Sequence, residues 1–231
     1  MNDKAYDGLW VIIPAYNEGE VIRGVVEEVR RFCRNVVLID DGSADDTAVH
    51  ARAGGATVLR HPINLGQGAA LQTGIEFAKR SNATYIATFD ADGQHDINDV
   101  FPMIDLLEEK KLDVVLGSRF IGNVIGMTAA RRVLLYAAVL FTRLTTGLKL
   151  TDAHNGLRVF TRRGIHPISL CHNRMAHASE ILEQIARAKL SYAEYGNTVR
   201  YTAYSRAKGQ KASNAINILV DLALDLSLIH I

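Results

Sequence analysis

Residues 84–95 read Thr-Tyr-Ile-Ala-Thr-Phe-Asp-Ala-Asp-Gly-Gln-His, an apolar run that ends on two aspartates one residue apart. A short apolar run with β-branched and aromatic residues predicts a buried strand, and Gly93 then turns the chain. Asp90 and Asp92 are therefore expected at the carboxyl end of a strand, where open α/β sheets bind their ligands. Two hard oxygen ligands there suit a divalent cation that carries a substrate's phosphates. Two solvated turn aspartates are the alternative.

Strands and helices alternate on both sides of this stretch. Apolar runs predict strands at residues 9–14, 35–39, 57–59, 84–89 and 113–116, and helical spacing predicts helices at 21–32, 47–53, 68–79 and 100–109. This alternation predicts an α/β fold with a mostly parallel sheet and flanking helices. Neither the fingerprint G-x-G-x-x-G after the first strand nor a Walker A sequence is present, which argues against a dinucleotide or P-loop site.

The regular alternation of predicted strands and helices ends after Ser118. We expect a helix at 129–146, a loop at 151–156, a strand at 157–160, a helix at 179–189 and one or two strands within 192–204. A basic loop at 206–211 and an apolar helix at 214–226 follow. No internal repeat or disordered linker is visible.

Composition sets the broad class. The 231 residues are 48% hydrophobic and 22% charged, which is ordinary for a globular chain, and the net charge of +1 argues against nucleic acid as a partner. The cysteines, Cys33 and Cys171, form no metal or redox pattern and fit a reducing compartment. The chain opens without a signal peptide, and its longest apolar runs, 133–141 and 216–231, fall short of the roughly 20 residues of a spanning helix.

Six motifs in series resemble the family 2 glycosyltransferases of GT-A fold, especially their polyprenyl-phosphate (dolichol-phosphate mannose synthase-like) branch. They read Val-Ile-Ile-Pro-Ala-Tyr-Asn-Glu at 11–18, Leu-Ile-Asp-Asp-Gly-Ser at 38–43, Asn-Leu-Gly-Gln-Gly at 64–68, Phe-Asp-Ala-Asp-Gly-Gln-His at 89–95, Gly-Ser-Arg at 117–119 and Asp-Ala-His-Asn-Gly-Leu-Arg at 152–158. The resemblance implies a catalytic domain over 1–213, with a nucleotide-binding half at about 9–118 and an acceptor half at about 119–213. An apolar helix at 214–231 would follow, and a truncated helix is the alternative there.

On the donor side, the resemblance assigns Pro14, Tyr16 and Glu18 to the nucleoside. Asp41 can accept from the imide N–H of a uracil or from the Watson–Crick edge of a guanine; a turn and helix cap is the alternative for Asp40 and Asp41. Further donor-site positions within the matching motifs are Gly68 and Ala91. Arg206, Lys208 and Lys211 resemble a basic loop over the donor diphosphate, although Lys211 comes one residue early for the usual pattern.

The resemblance also implies a metal, Mg²⁺ or Mn²⁺, held by Asp90, Asp92 and Gln94. It would neutralise the charge that develops on the departing nucleoside diphosphate.

The acceptor side is expected around arginines, because guanidinium groups match phosphate oxygens. The candidates are Arg119, Arg131 and Arg132, with a solvated helix start as the alternative for the last two. Asp152 is the first candidate for a catalytic base or orienting carboxylate, and Glu180 is the second, unless it is an ordinary first-turn glutamate. Arg119 also belongs to the expected catalytic group.

The resemblance implies an inverting, metal-assisted glycosyltransferase that moves a hexose from a UDP- or GDP-sugar to a polyprenyl (dolichyl or undecaprenyl) phosphate. A saccharide acceptor and a non-catalytic nucleotide-sugar-binding subunit of a membrane complex are the alternatives. A haloacid-dehalogenase-like phosphatase is disfavoured, because that motif needs Thr or Val where Gln94 stands.

Such an acceptor requires contact with a bilayer. The basic-flanked apolar helix around 133–141 suits the membrane interface, or else it is a plain core helix. We therefore expect a peripheral protein at the cytoplasmic face, anchored by itself or by a separate membrane protein, and homo-oligomer formation stays open.

Overall fold

The computed structural model describes residues 6, 8–171, 177–202 and 204–205, without the side chains of residues 130 and 131. The expected basic loop at 206–211, with Arg206, Lys208 and Lys211, and the expected helix at 214–226 lie outside the described residues. The division into a nucleotide-binding and an acceptor half stays a prediction.

The described chain contains seven strands and seven α-helices. The strands are β1 Leu9–Ala15, β2 Asn35–Asp40, β3 Thr57–Arg60, β4 Tyr85–Thr88, β5 Val114–Ile125, β6 Arg158–Thr161 and β7 Tyr192–Arg200. The helices are α1 Ile22–Arg30, α2 Thr47–Ala53, α3 Gln67–Arg80, α4 Val100–Lys110, α5 Ala129–Thr146, α6 Arg162–Ile165 and α7 His177–Arg187. A short 3₁₀ helix, Ile97–Asp99, precedes α4.

All seven strands form one sheet in the order β3-β2-β1-β4-β6-β5-β7. Strand β6 runs antiparallel to both of its neighbours, β4 and β5, and the other pairs are parallel. The prediction of a mostly parallel α/β sheet is therefore confirmed. The parallel strands β1, β2 and β4 all end at one edge of the sheet, where the predicted motifs meet.

Helices cover both faces of the sheet, and each face has its own apolar core. Helices α1 and α4 pack on one face, and α3, α5 and α7 pack on the other. Helix α3 lies especially close to β1, since a Cβ on Gly74 would come within 2.3 Å of the side chain of Ile12. Glycine at this position thus sets the distance between α3 and the sheet.

Strand β5 is longer than the sequence indicates. The expected strand ends at Leu116, whereas the observed strand continues to Ile125. Its second half alternates between exposed and partly buried residues and pairs with β7, with Asn123 opposite Thr198. The partner strand β7 lies far away in sequence, so no local sequence pattern predicts this pairing. None of the helices in the described ranges is long and apolar enough to cross a bilayer.

Candidate active site

A cleft of about 470 Å³ opens at the carboxyl ends of β1, β2 and β4. Its walls bring together residues that are far apart in sequence, among them Tyr16, Asp41, Asp90, Asp92, Arg119 and Arg158. The cleft therefore combines carboxylates from the first half of the chain with arginines from the second half.

The aspartate pair follows β4 directly, as the sequence predicts. Strand β4 ends at Thr88, and Gly93 makes the turn with a φ of +72°. Within this turn, Oδ1 of Asp92 accepts a hydrogen bond from the backbone N–H of Gln94 at 3.0 Å. The side-chain amide of Gln94 also donates to Asp92, which leaves the amide oxygen of Gln94 as the group that could bind a cation.

The two carboxylates have opposite pKa shifts. Burial and the negative charge of Asp90 raise the pKa of Asp92 to about 6. Burial alone would raise the pKa of Asp90. The pKa is instead held below its usual range by the hydrogen bond and charge of His95 and by the charges of His177 and Arg158. The pair thus shares one site in which the second negative charge is unfavourable.

This donor set fits Mg²⁺ or Mn²⁺. Both cations prefer hard oxygen ligands, and a positive charge between Asp90 and Asp92 would remove their mutual repulsion. No group of three or more His, Cys, Asp or Glu side chains in the described part of the chain is arranged to hold a metal ion. The assignment of a cation to Asp90, Asp92 and Gln94 stays a prediction.

The raised pKa of Asp92 predicts a stability effect in metal-free protein. Because this carboxyl binds protons more tightly when folded than when unfolded, its ionisation lowers stability as the pH rises from about 4 to about 6. Asp92→Asn should therefore raise the free energy of unfolding by about 1 kcal/mol at pH 7.5, with little gain at pH 4. Urea unfolding with EDTA at both pH values measures this; an equal gain at both would contradict it.

The nucleoside residues expected from the sequence line one end of the cleft. Pro14, Tyr16 and Glu18 all contribute, and Tyr16 is 44% exposed and so accessible to a base. The carboxylate of Glu18 accepts a hydrogen bond from the hydroxyl of Tyr204 at 2.7 Å. Ala91 also lines the cleft, whereas Gly68 is buried in the first turn of α3, next to the lining residue Gln67.

Asp41 lies at the same end and organises the loop before α3. Its Oδ1 accepts from the backbone N–H of Leu65 at 2.9 Å and from Nδ1 of His61 at 2.8 Å, and its Oδ2 accepts from the backbone N–H of Gly66 at 2.7 Å. Asp41 is 2% exposed, yet it lines the cleft. It is thus a structural anchor as well as a candidate for base contact.

The acceptor-side candidates Arg119 and Asp152 form a buried ion pair. Nε of Arg119 donates to Oδ2 of Asp152 at 2.6 Å, and the rest of the guanidinium donates to the hydroxyl of Tyr201 and the carbonyl of His154. The Asp152 side chain is fully buried, while Arg119 lines the cleft. Asp152 therefore fits the orienting role rather than that of an exposed base. Glu194 fixes the loop that carries it by accepting from the backbone N–H of Asp152.

Four cationic or titratable residues of the described cleft lining were not assigned a role from the sequence, namely His95, His154, Arg158 and His177. His95 donates from Nε2 to Oδ2 of Asp90 at 2.9 Å, and Arg158 and His177 also line the cleft. Arg158 comes from β6, where burial lowers its pKa to about 10 against the opposing charges of Asp90 and Asp152. A charged residue inside the apolar run 157–160 is the sequence signal that could have identified Arg158.

Glu180 and Arg132 are not among the described lining residues of the cleft, and Arg131 cannot be placed there either. Glu180 is buried in α7, where its Oε1 accepts from the backbone N–H of Cys171 at 2.8 Å, and it is not among the described lining residues. Arg132 is exposed on α5 and is absent from the lining residues that the structure describes, and the side chain of Arg131 is outside the description. The catalytic role of Glu180 and the phosphate contacts of these two arginines stay predictions.

The sheet order and the cleft at the carboxyl ends of β1, β2 and β4 agree with the GT-A fold. The chain belongs to glycosyl transferase family 2, whose family model matches residues 10–166. The predicted family and the predicted glycosyltransferase activity are therefore confirmed.

Similar proteins are found among both sequences and structures. An uncharacterized protein of Methanocaldococcus jannaschii is 31% identical over 97% of this chain and 94% of its own length. A UDP-N-acetylglucosamine–dolichyl-phosphate N-acetylglucosaminyltransferase of Methanococcus voltae is 29% identical over 94% of this chain and 95% of its own. A glucosyl-3-phosphoglycerate synthase of Mycobacterium tuberculosis, solved with Mn²⁺, UDP-glucose and phosphoglyceric acid, has a TM-score of 0.68 at 19% identity, covering 95% of this chain and 81% of that one.

Proposed function

We propose that this glycosyltransferase moves a sugar from a nucleoside diphosphate to the phosphate of a polyprenyl phosphate, with inversion at the anomeric carbon. The observation that carries the proposal is the single cleft in which the aspartate pair meets the buried arginines Arg119 and Arg158. Carboxylates suit a cation and the donor diphosphate, whereas arginines suit a second, anionic substrate. The name of the Methanococcus voltae relative, a dolichyl-phosphate transferase, supports this acceptor class.

The donor would occupy the end of the cleft formed by β1, β2 and β4. Tyr16 and Asp41 would contact the base, and Asp90, Asp92 and Gln94 would hold Mg²⁺ or Mn²⁺ at the diphosphate. A bound cation supplies charge stabilisation for the departing nucleoside diphosphate.

The acceptor would enter from the Arg158 side. An oxygen of its phosphate attacks the anomeric carbon, the bond from that carbon to the donor diphosphate breaks, and the nucleoside diphosphate leaves. A phosphate monoester is already anionic near neutral pH, so the reaction depends more on positioning than on a strong base. This agrees with a buried Asp152 that holds Arg119 in place.

The surface of α5 supports contact with a lipid membrane. Val133, Tyr136, Leu140 and Leu144 recur at helical spacing on one face and are 52–77% exposed. The opposite face packs through Leu135, Ala138 and Val139, so α5 is both a core helix and a surface helix. Ile121 and Ile125 of β5 are also exposed, and Arg132, Arg143 and Lys149 add positive charge. An apolar face with basic residues fits the interface of an anionic bilayer.

Charges on this apolar face should weaken membrane binding. The double variant Val133→Glu/Leu140→Glu should reduce flotation with liposomes that contain phosphatidylglycerol by about tenfold or more, because two exposed apolar side chains lose their insertion energy. Val49→Glu is the matched control, since Val49 is 58% exposed on α2, away from this face. Equal flotation of the double variant and the control would refute membrane contact through α5.

The acceptor class can be tested by partition of label. The protein is incubated with Mn²⁺, radiolabelled UDP- and GDP-sugars, and undecaprenyl or dolichyl phosphate, and the mixture is extracted with organic solvent. We expect label in the lipid phase with a phosphorylated polyprenol and none with the free polyprenol. Label that stays in the aqueous phase as a saccharide product would favour a glycan acceptor, and no turnover with any donor would favour a binding subunit.

A further inference from the structure

His61 lies beside the carboxylate that is expected to contact the nucleotide base. It follows β3, and its ring is fixed at both ends, by Nδ1 at 2.8 Å from Oδ1 of Asp41 and by Nε2 at 2.9 Å from Oγ of Thr73. The side chain is only 12% exposed. Neither the family motifs nor the sequence pattern assigns it a role.

The loop that carries His61 is held tightly against the end of β2. Gly42 has a φ of +71°, and a Cβ at this position would lie 2.5 Å from the carbonyl carbon of Ile63 and 2.7 Å from the nitrogen of Asn64. Asp41 binds the other end of the loop through Leu65 and Gly66. The positions of the donors around Asp41 are therefore set by the fold.

These donors nearly fill the acceptor capacity of Asp41. A carboxylate offers about four lone-pair positions, two on each oxygen. His61 and Leu65 occupy both positions on Oδ1, and Gly66 occupies one on Oδ2. With the donors of the described residues counted, one acceptor position remains on Oδ2, and Asp41 lines the cleft.

We propose that His61 sets the base preference of the donor site in favour of uracil by filling Oδ1 of Asp41. This inference rests on the proposed nucleotide-sugar site and names its nucleotide. The imide of uracil presents one N–H, which matches the one remaining acceptor position. The Watson–Crick edge of guanine presents an N–H and an adjacent amino group. If the N–H binds Oδ2 of Asp41, the amino group is directed at Oδ1, which His61 and Leu65 already occupy.

Inosine diphosphate (IDP), whose base is hypoxanthine, separates the effect of the guanine amino group from the effect of purine size. It has the imide-like N–H of guanine but lacks the amino group. We measure the Kd of UDP, IDP and GDP by calorimetry with Mn²⁺, using the full chain. In the wild type, UDP should bind most tightly, and IDP should bind about fivefold more tightly than GDP, because an unmatched buried donor is costly.

Two variants of His61 test its role. His61→Ala frees an acceptor position on Oδ1, so GDP should bind at least as tightly as IDP. His61→Asn keeps an N–H donor near the position of Nδ1 and should preserve the preference for IDP. If His61 had a merely structural role, His61→Ala would weaken the binding of all three nucleotides by the same factor, and the ratio of the Kd values of IDP and GDP would not change.

Three results would overturn the inference: weaker binding of UDP than of IDP or GDP in the wild type, binding of GDP as tight as that of IDP or tighter in the wild type, or an unchanged IDP-to-GDP ratio in His61→Ala. Its failure is separable from that of the proposed function. A uracil preference without transfer to polyprenyl phosphate would refute only the acceptor, and transfer from GDP-sugars with GDP bound more tightly than IDP would refute only the role of His61.

Discussion

Asp92→Ala is expected to lower kcat for sugar transfer by roughly 10³-fold, because several kcal/mol of charge stabilisation at the leaving diphosphate would be lost. Asp92 lies in the cleft beside Asp90, and burial with the charge of Asp90 raises its pKa, so a bound cation would offset this repulsion. The variant should also lose the increase in UDP affinity that Mn²⁺ gives over EDTA. Turnover is measured by release of nucleoside diphosphate, and affinity by calorimetry.

Asp96→Asn is the matched control for this variant. Asp96 is four residues further along the chain, but its carboxylate pairs with Arg200 at 3.2 Å, and it is not among the described lining residues of the cleft. Asparagine can still accept the hydrogen bond that Asp96 receives from the backbone N–H of Asn98. The control should keep its turnover within about twofold of wild type. Metal-dependent affinity that survives in Asp92→Ala would contradict the assignment of the cation site.

Asp152→Asn is expected to destabilise the protein by about 3 kcal/mol and to abolish most activity. The change leaves the guanidinium of Arg119, which is 6% exposed, without its ion-pair partner, and breaking a buried pair is costly. Arg119→Met should cost a similar amount, since it leaves the fully buried carboxylate unpaired. In the double variant Asp152→Asn/Arg119→Met neither charge remains, so its stability should lie above that of either single variant while activity stays absent.

Glu27→Gln controls for the loss of an ordinary ion pair. Glu27 pairs with Arg23 on the surface of α1 at 2.8 Å, with side chains 46% and 61% exposed. Exposed pairs contribute under about 1 kcal/mol, so this variant should unfold at nearly the wild-type urea midpoint. If Asp152→Asn lost no more stability than Glu27→Gln, the Arg119–Asp152 pair would not be the structural basis of the acceptor side.

The order of the elements could be read from the sequence because most of them have strong local patterns. Helix α1 buries Ile22, Val25, Val26 and Val29 at helical spacing, and β4 is a continuous apolar run that ends before Asp90. The second half of β5 has no such pattern, since its order comes from pairing with a strand about 70 residues away. The antiparallel direction of β6 also depends on non-local contacts and was not predicted for that strand.

The residues of the cleft likewise divide into those that local sequence patterns predict and those that only non-local contacts place there. Tyr16, Asp41 and Asp90 follow strands β1, β2 and β4. Because ligands of open α/β sheets lie at the carboxyl ends of the strands, the sequence predicts that these residues share one cleft. Arg158, His95 and His177 reach the cleft from three separate segments. Their importance lies in the electrostatic field at Asp90, which depends on distances that sequence spacing does not give. The pairing of Arg119 with Asp152 is equally non-local.

Transfer of a single sugar to the phosphate of a polyprenyl phosphate is tested most directly by its co-products. After reaction of a UDP-sugar with undecaprenyl phosphate, the lipid is analysed by mass spectrometry and the released nucleotide by chromatography. The proposed function predicts a lipid heavier by one sugar residue and one equivalent of UDP. Release of UMP with a lipid heavier by a sugar phosphate, or release of UDP with the lipid unchanged, would contradict it.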